Sequence, residues 1–156
     1  FACKRGHLKV AQWLVIKHAA IDARNSDGLQ PLHSACREGR VEVAQWLLTK
    51  GAALDACTSL GSQPLHHACL HGHLEVARWL LSQRVAIDAS DSEGDQPLHY
   101  ACLTGQLEVV QWLVRQGAPR NTRNKARKTP LFLARDKGFI ELASWLTAGE
   151  PQSRGP

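Results

Sequence analysis

The chain of 156 residues contains no methionine, one tyrosine and three phenylalanines. It also lacks Cys-x-x-Cys, Gly-x-Ser-x-Gly, His-Glu-x-x-His and a phosphate-cradling glycine loop. Those absences remove the motif-borne routes to redox dithiol, serine-hydrolase, zincin and nucleotide chemistry. No apolar run approaches the roughly 20 residues that a membrane-spanning helix needs. Lys4, Arg5, His7 and Lys9 interrupt the apolar residues at the start, so that stretch does not read as a secretory signal. With methionine missing at position 1 and everywhere else, the sequence reads as a segment of a longer chain.

A basic stripe along the whole length is missing too. The formal charge of +5 is concentrated at the ends. Residues 1–23 carry four basic groups and one acidic, residues 24–123 nine and ten, and residues 124–156 six and three. That distribution argues against nucleic acid as the partner.

What the chain does contain is one heptapeptide written several times. Gln30-Pro31-Leu32-His33-Ser34-Ala35-Cys36 recurs 33 residues later as Gln63-Pro64-Leu65-His66-His67-Ala68-Cys69. It recurs again as Gln96-Pro97-Leu98-His99-Tyr100-Ala101-Cys102, and more loosely as Thr129-Pro130-Leu131-Phe132-Leu133-Ala134-Arg135. Phe1-Ala2-Cys3 is the end of another copy. A fixed period of this length is the mark of a stacked repeat. Each Pro suits the first turn of a short helix, where its missing N–H costs nothing. Gly6, Gly39, Gly72, Gly105 and Gly138 break that helix. A second helix follows, as in Val41–Leu48, with apolar positions at helical spacing. Gly51 ends it, and His18 and Arg84 hold the same place elsewhere, predicting looser turns. A polar stretch with Gly28, Gly61 or Gly94 then reads as a hairpin, preceded by Asp22, Asp55, Asp88 or Asn121. Arg127 replaces the glycine of the last hairpin.

These residues resemble the ankyrin repeat family over residues 1 to about 148. The period, the Pro-Leu-His core, the mid-repeat glycine and the second-helix leucines all recur in phase. The resemblance implies an all-α solenoid of helix pairs with hairpins projecting at right angles. Units are expected at 1–23 (partial), 24–57, 58–90, 91–123 and 124–148, with 149–156 as a disordered tail or linker. Three departures stand out. Gln30, Gln63 and Gln96 replace the family's usual capping Thr, Cys replaces an Ala, and Trp13, Trp46, Trp79, Trp112 and Trp145 replace a smaller apolar residue. One residue type at one phase of a solenoid reads as packing between second helices. Trp145 is the exception, expected to lie uncovered by a further repeat. At the other end Val10, Trp13 and Leu14 show no sign of a polar cap, which predicts further repeats upstream.

Four of the five cysteines, Cys3, Cys36, Cys69 and Cys102, follow the period. Equivalent positions in stacked helices lie ~8–10 Å apart, beyond the roughly 4.4–6.8 Å Cα spacing of a disulfide. Buried free thiols suit a reducing compartment, cytoplasmic or nuclear.

The densest cluster of ligand-type side chains is His66-His67-Ala68-Cys69-Leu70-His71-Gly72-His73. The repeat accounts for His66, Cys69 and His73. That leaves His67 and His71, four apart on one helix face, two ligands where structural zinc takes four. They read as a polar contact patch with scope for pH sensitivity. Arg120–Lys128 is a basic run in a hairpin, open to reading as a solvated loop, an acidic-partner contact or a nuclear-import signal. The family resemblance raises hydroxylation of the hairpin asparagine, here Asn121. The alternative is that it and the equivalent aspartates bond the hairpin backbone.

No cofactor and no catalytic residue is assigned. The expected function is a non-catalytic interaction module, a scaffold or adaptor, binding a protein or peptide. The alternative is a targeting or regulatory arm of a larger enzyme, such as a ubiquitin ligase or kinase. By matching position, the resemblance puts the binding face on hairpin tips and first helices. The residues there outside the repeat logic are Arg24, Leu29, Arg37, Glu38, Leu60, His67, Leu70, His71, Glu93, Asp95, Tyr100, Leu103, Arg123, Lys125 and Lys128. An apolar centre at Leu60, Leu70, Tyr100 and Leu103 beside a positive fifth hairpin fits a peptide with an apolar anchor and acidic residues.

Overall fold

A computed structural model describes residues 2–148. The expected tail at 149–156 lies outside the described residues. Ten helices and no strands are present among the described residues. They form five pairs: α1 (Ala2–Arg5) with α2 (Leu8–Ile16), α3 (Pro31–Arg37) with α4 (Val41–Thr49), α5 (Pro64–Leu70) with α6 (Leu74–Ser82), α7 (Pro97–Leu103) with α8 (Leu107–Arg115), and α9 (Pro130–Asp136) with α10 (Ile140–Ala148). The odd-numbered helices stack on one another, α1 on α3, α3 on α5, α5 on α7 and α7 on α9.

The core runs through the stack and is built from the repeating positions. Leu32, Leu65 and Leu98 on first helices, and Leu47, Leu80 and Leu113 on second helices, are each at most 1% exposed. Burying one such side chain contributes about 2 kcal/mol. Cys36, Cys69 and Cys102 are wholly buried free thiols. Burial raises the pKa of all three.

Each motif histidine ties its unit to a hairpin. The Nδ1 atoms of His33, His66 and His99 accept the backbone N–H of Gln30, Gln63 and Gln96 at 3.1–3.2 Å. Nε2 must then carry the proton, and it donates to a carbonyl: Ala56 at 2.8 Å, Asp95 at 3.2 Å and Thr122 at 3.0 Å respectively. Each glutamine and its histidine thus close a reciprocal capping box, the glutamine side chain facing the N3 backbone and the histidine taking the N-cap N–H. Gln96 Oε1 is buried without a hydrogen-bond partner. By contrast the shorter Thr129 side chain accepts from Phe132 N at 3.2 Å and caps α9.

Successive hairpins are laddered. Ser59 N donates to Asp27 O, Ser92 N to Leu60 O and Lys125 N to Glu93 O, at 2.9–3.1 Å. This approach leaves no room for a side chain on the inner hairpin. A Cβ on Gly28 would lie 2.6 Å from Ser59 N, and one on Gly61 2.9 Å from Ser92 N. Arg127 keeps the left-handed backbone, at φ 61° against 76–78° for those glycines and Gly94. Its hairpin therefore has the expected turn despite the substitution. His18 and Arg84 likewise stay left-handed at φ 64°, where Gly51 and Gly117 sit at 88° and 94°.

The inner tryptophans pack as expected, and Trp145 is the one that differs. Trp46, Trp79, Trp112 and Trp145 are half-buried and pack on the edge of the core. Cations of the preceding unit lie over two of them: Arg78 over Trp112 at 5.9 Å, and Arg120 over Trp145 at 5.2 Å. Cover thus comes from the unit before. The open ring is Trp13, 56% exposed, and not Trp145.

Candidate functional site

The hairpins present their side chains because one residue in each pins the turn. Asn25 Oδ1 accepts from the N–H groups of Asp27 and Leu29, Thr58 Oγ1 from Ser62, Asp91 Oδ1 from Glu93 and Asp95, and Asn124 Oδ1 from Lys128. An acceptor side chain bonding the backbone just ahead is the ordinary device of such turns. The aspartates expected to do this do not. Asp22, Asp55, Asp88 and Asn121 are exposed and make no side-chain hydrogen bond. They sit three residues too early to reach the turn's N–H groups.

Between the fourth and fifth hairpins lies a groove of about 250 Å³. Tyr100, Leu103, Ala126 and Leu133 supply its apolar surface. Glu93 and Asp95 line it from one hairpin, Asn124 and Lys128 from the other. Asn124 Nδ2 donates to Asp95 Oδ1 at 2.7 Å, joining the two hairpins across the groove. Tyr100 donates its hydroxyl to Asp91 Oδ2 at 2.7 Å, which fixes the ring. Burial and that carboxylate push the phenol's pKa up, so Tyr100 stays neutral. Lys128 lies over the Phe132 ring at 5.4 Å. Phe132 takes the place of the motif histidine and is 48% exposed, against 0–1% for the three histidines.

Five of the residues expected at the binding face thus line one groove: Glu93, Asp95, Tyr100, Leu103 and Lys128. Arg123 and Lys125 are exposed on the same fifth hairpin. The others lie elsewhere. Leu60 is 66% exposed at its hairpin tip, with its carbonyl accepting from Ser92 Oγ at 2.7 Å. Leu70 is half-buried, and its carbonyl accepts from Thr104 Oγ1 at 2.6 Å. Arg24 and Leu29 line a separate cleft of about 440 Å³ between the first two units. Arg24 Nη1 there donates to Cys57 O at 2.6 Å. Arg37 and Glu38 lie beside Lys4, 33 residues before Arg37.

His67 and His71 do not behave as a pair. His67 Nε2 shares a hydrogen bond with Ser62 Oγ at 3.1 Å, and Ser62 is 4% exposed and bonded in turn to Thr58 Oγ1 at 2.8 Å. The His67 ring meets His33 edge-on, with centroids 5.5 Å apart. Burial, with the neighbouring His33 and His66, lowers its pKa to about 3. It therefore stays neutral at physiological pH, which removes it as a pH sensor. His71 is exposed at the end of α5 and stacks on His73, with centroids 6.4 Å apart. Among the described residues no three His, Cys, Asp or Glu side chains are placed to hold a metal ion.

Asn124, Ala126 and Leu133, which line the groove, and Asp91, which holds the Tyr100 ring, were not singled out by sequence reasoning. The turn-pinning set, Asn25, Thr58, Asp91 and Asn124, did carry a signal: an acceptor side chain every 33 residues.

These features describe a helical repeat solenoid with an open groove along its hairpins and first helices. The family described as ankyrin repeats (3 copies) matches residues 1–91 and 83–154, and the chain belongs to that family. Ankyrin repeats are in general protein–protein interaction modules. No curated protein matches the chain. No helix among the described residues is long and apolar enough to cross a membrane.

Proposed function

We propose that the chain binds a partner protein or peptide through the face formed by hairpin tips and first helices, as a scaffold or adaptor without catalysis of its own. The observation that carries this reading is the groove where Tyr100 and Leu103 lie between Glu93 and Asp95 on one hairpin and Lys128 on the other. An apolar centre with a charged rim is the usual anatomy of a protein interface. The groove's size suits one large side chain as anchor, with acidic residues of the partner toward Lys125 and Lys128. The buried free thiols support a reducing compartment, cytoplasmic or nuclear. Val10 and Leu14 are 48% and 38% exposed, while Val43, Leu47, Val76 and Leu80 at the same positions are at most 2% exposed. That contrast supports a further helix pair stacked on the first unit.

The test is a partner's affinity for the Tyr100→Ala and Leu103→Ala variants. Each substitution should weaken binding by at least about 1 kcal/mol. Unchanged affinity in the double variant removes the groove as the binding surface.

A further inference from the structure

The geometry points to a second contact surface at the opposite end of the stack, a basic patch across the first two units that takes an acidic segment of the partner. This rests on the protein-binding reading and adds the chemistry of one part of that partner.

The patch is assembled from residues 33 or more apart. Lys4 Nζ lies 3.7 Å from Glu38 Oε1, and Arg37 Nε lies 3.9 Å from the same oxygen. Two cations thus converge on one carboxylate, which can neutralise only one of them. The Arg40 side chain runs over Gly6, bringing a third cation between the first and second units. His73 Nε2 donates to Arg37 O at 2.9 Å, and His71 stacks on His73. Lys4, Arg37 and Arg40 are exposed cations. His71 is exposed too, but burial and the neighbouring Arg37 lower its pKa, so it gives the patch a neutral polar edge.

Helix-end placement explains part of this, because a cation is favoured near a helix C-terminus. It covers Lys4 and Arg37. It does not cover Arg40, which follows the glycine break, or the concentration in the first two units. In the fourth unit the places of Arg37, Glu38 and Arg40 hold Leu103, Thr104 and Gln106. The surplus of positive charge is therefore local, and an anionic group beside Arg37 is the missing complement. First helices packed ~8–10 Å apart, with the His71 edge of the third unit included, make a surface about 20 Å long. An extended chain at roughly 3.3–3.6 Å per residue covers that with about six residues. Acidic side chains on such a segment would meet Lys4 in the first unit and Arg37 and Arg40 in the second.

The test uses a fluorescent peptide of alternating Glu and Asp, about six residues long, in low salt where charges are least screened. Arg37→Gln should weaken its binding by roughly fivefold, and Glu38→Gln should tighten it by about threefold. Tightening cannot arise from misfolding. Lys50→Gln, at the end of α4 and outside both the patch and the groove, should leave affinity within about twofold. Equal losses at Arg37 and Lys50 would overturn the proposal, since net charge alone would then explain the binding. So would no gain from Glu38→Gln, or stronger competition by a single-stranded RNA of equal charge than by unlabelled peptide. The Tyr100→Ala/Leu103→Ala variant leaves the patch intact, so the probe should bind it unchanged, and failure of the groove and failure of the patch are read separately.

Discussion

The hydroxyl of Tyr100 donates to Oδ2 of Asp91 at 2.7 Å, while Oδ1 of the same carboxylate takes the N–H groups of Glu93 and Asp95 at 2.9 and 2.8 Å. One side chain thus holds both the groove's aromatic ring and the hairpin that carries its acidic rim. Asp91→Ala removes three charge-assisted bonds at a half-buried position. It should cost about 2 kcal/mol in urea unfolding. Asp91→Asn keeps an acceptor for the hairpin and should cost less than about 1 kcal/mol. Equal losses in the two variants would mean that the turn does not depend on that acceptor.

His33, His66 and His99 are buried and hold their protons on Nε2, with Nδ1 occupied by a backbone N–H. A second proton has no acceptor on that side. Burial is the main cause of their lowered pKa values, and His67 is lowered as well. The unfolded chain titrates near the ordinary value of about 6.5, so the unfolded state binds protons first. The stability these groups support is present above about pH 6.5 and is lost as pH falls below it toward the folded-state values. Each contributes a slope of up to about 1.4 kcal/mol per pH unit in that window. Unfolding free energy measured from pH 7.5 to 5 should fall steeply below 6.5. A flat profile would contradict the assigned protonation.

Arg84 ends α6 with a left-handed backbone at φ 64°, the place Gly51 and Gly117 hold in neighbouring units. A side chain in that conformation costs about 1 kcal/mol or more. Arg84→Gly should raise stability by roughly 0.5–1 kcal/mol after the entropy gained by the unfolded chain is subtracted. Chemical denaturation of the two proteins checks the sign.

Gln96 leaves Oε1 buried and unbonded, whereas Thr129 at the same position caps its helix. Gln96→Thr should keep a cap through a shorter side chain and remove an unsatisfied acceptor, for a gain of about 1 kcal/mol. A loss of stability would show that the glutamine's packing outweighs its orphaned oxygen.

The fold was legible because the heptapeptide, the mid-unit glycine and the second-helix leucines repeat in phase, and the core uses those same positions in each inner unit. Setting the repeat positions aside left the residues free for other contacts, and Glu93, Asp95, Tyr100, Leu103 and Lys128 come together in one groove. What stayed hidden depends on three-dimensional offsets. Asn25, Thr58, Asp91 and Asn124 differ in identity, so their shared acceptor role drew less notice than the nearly uniform Asp22, Asp55 and Asp88. The direction from which tryptophans are covered follows from how units stack. Period alone says nothing of it, hence the misplaced expectation for Trp145. His67 looked free because its residue type varies between repeats, yet Ser62 five residues earlier draws its ring inward.

Hydrogen exchange with and without a bound partner tests the central claim most directly. Binding in the groove should slow exchange at Asp91–Asp95, in α7 and at Asn124–Lys128, with α6 and α8 unchanged. Protection confined to α6 and α8, with the hairpins and α7 unaffected, would contradict it.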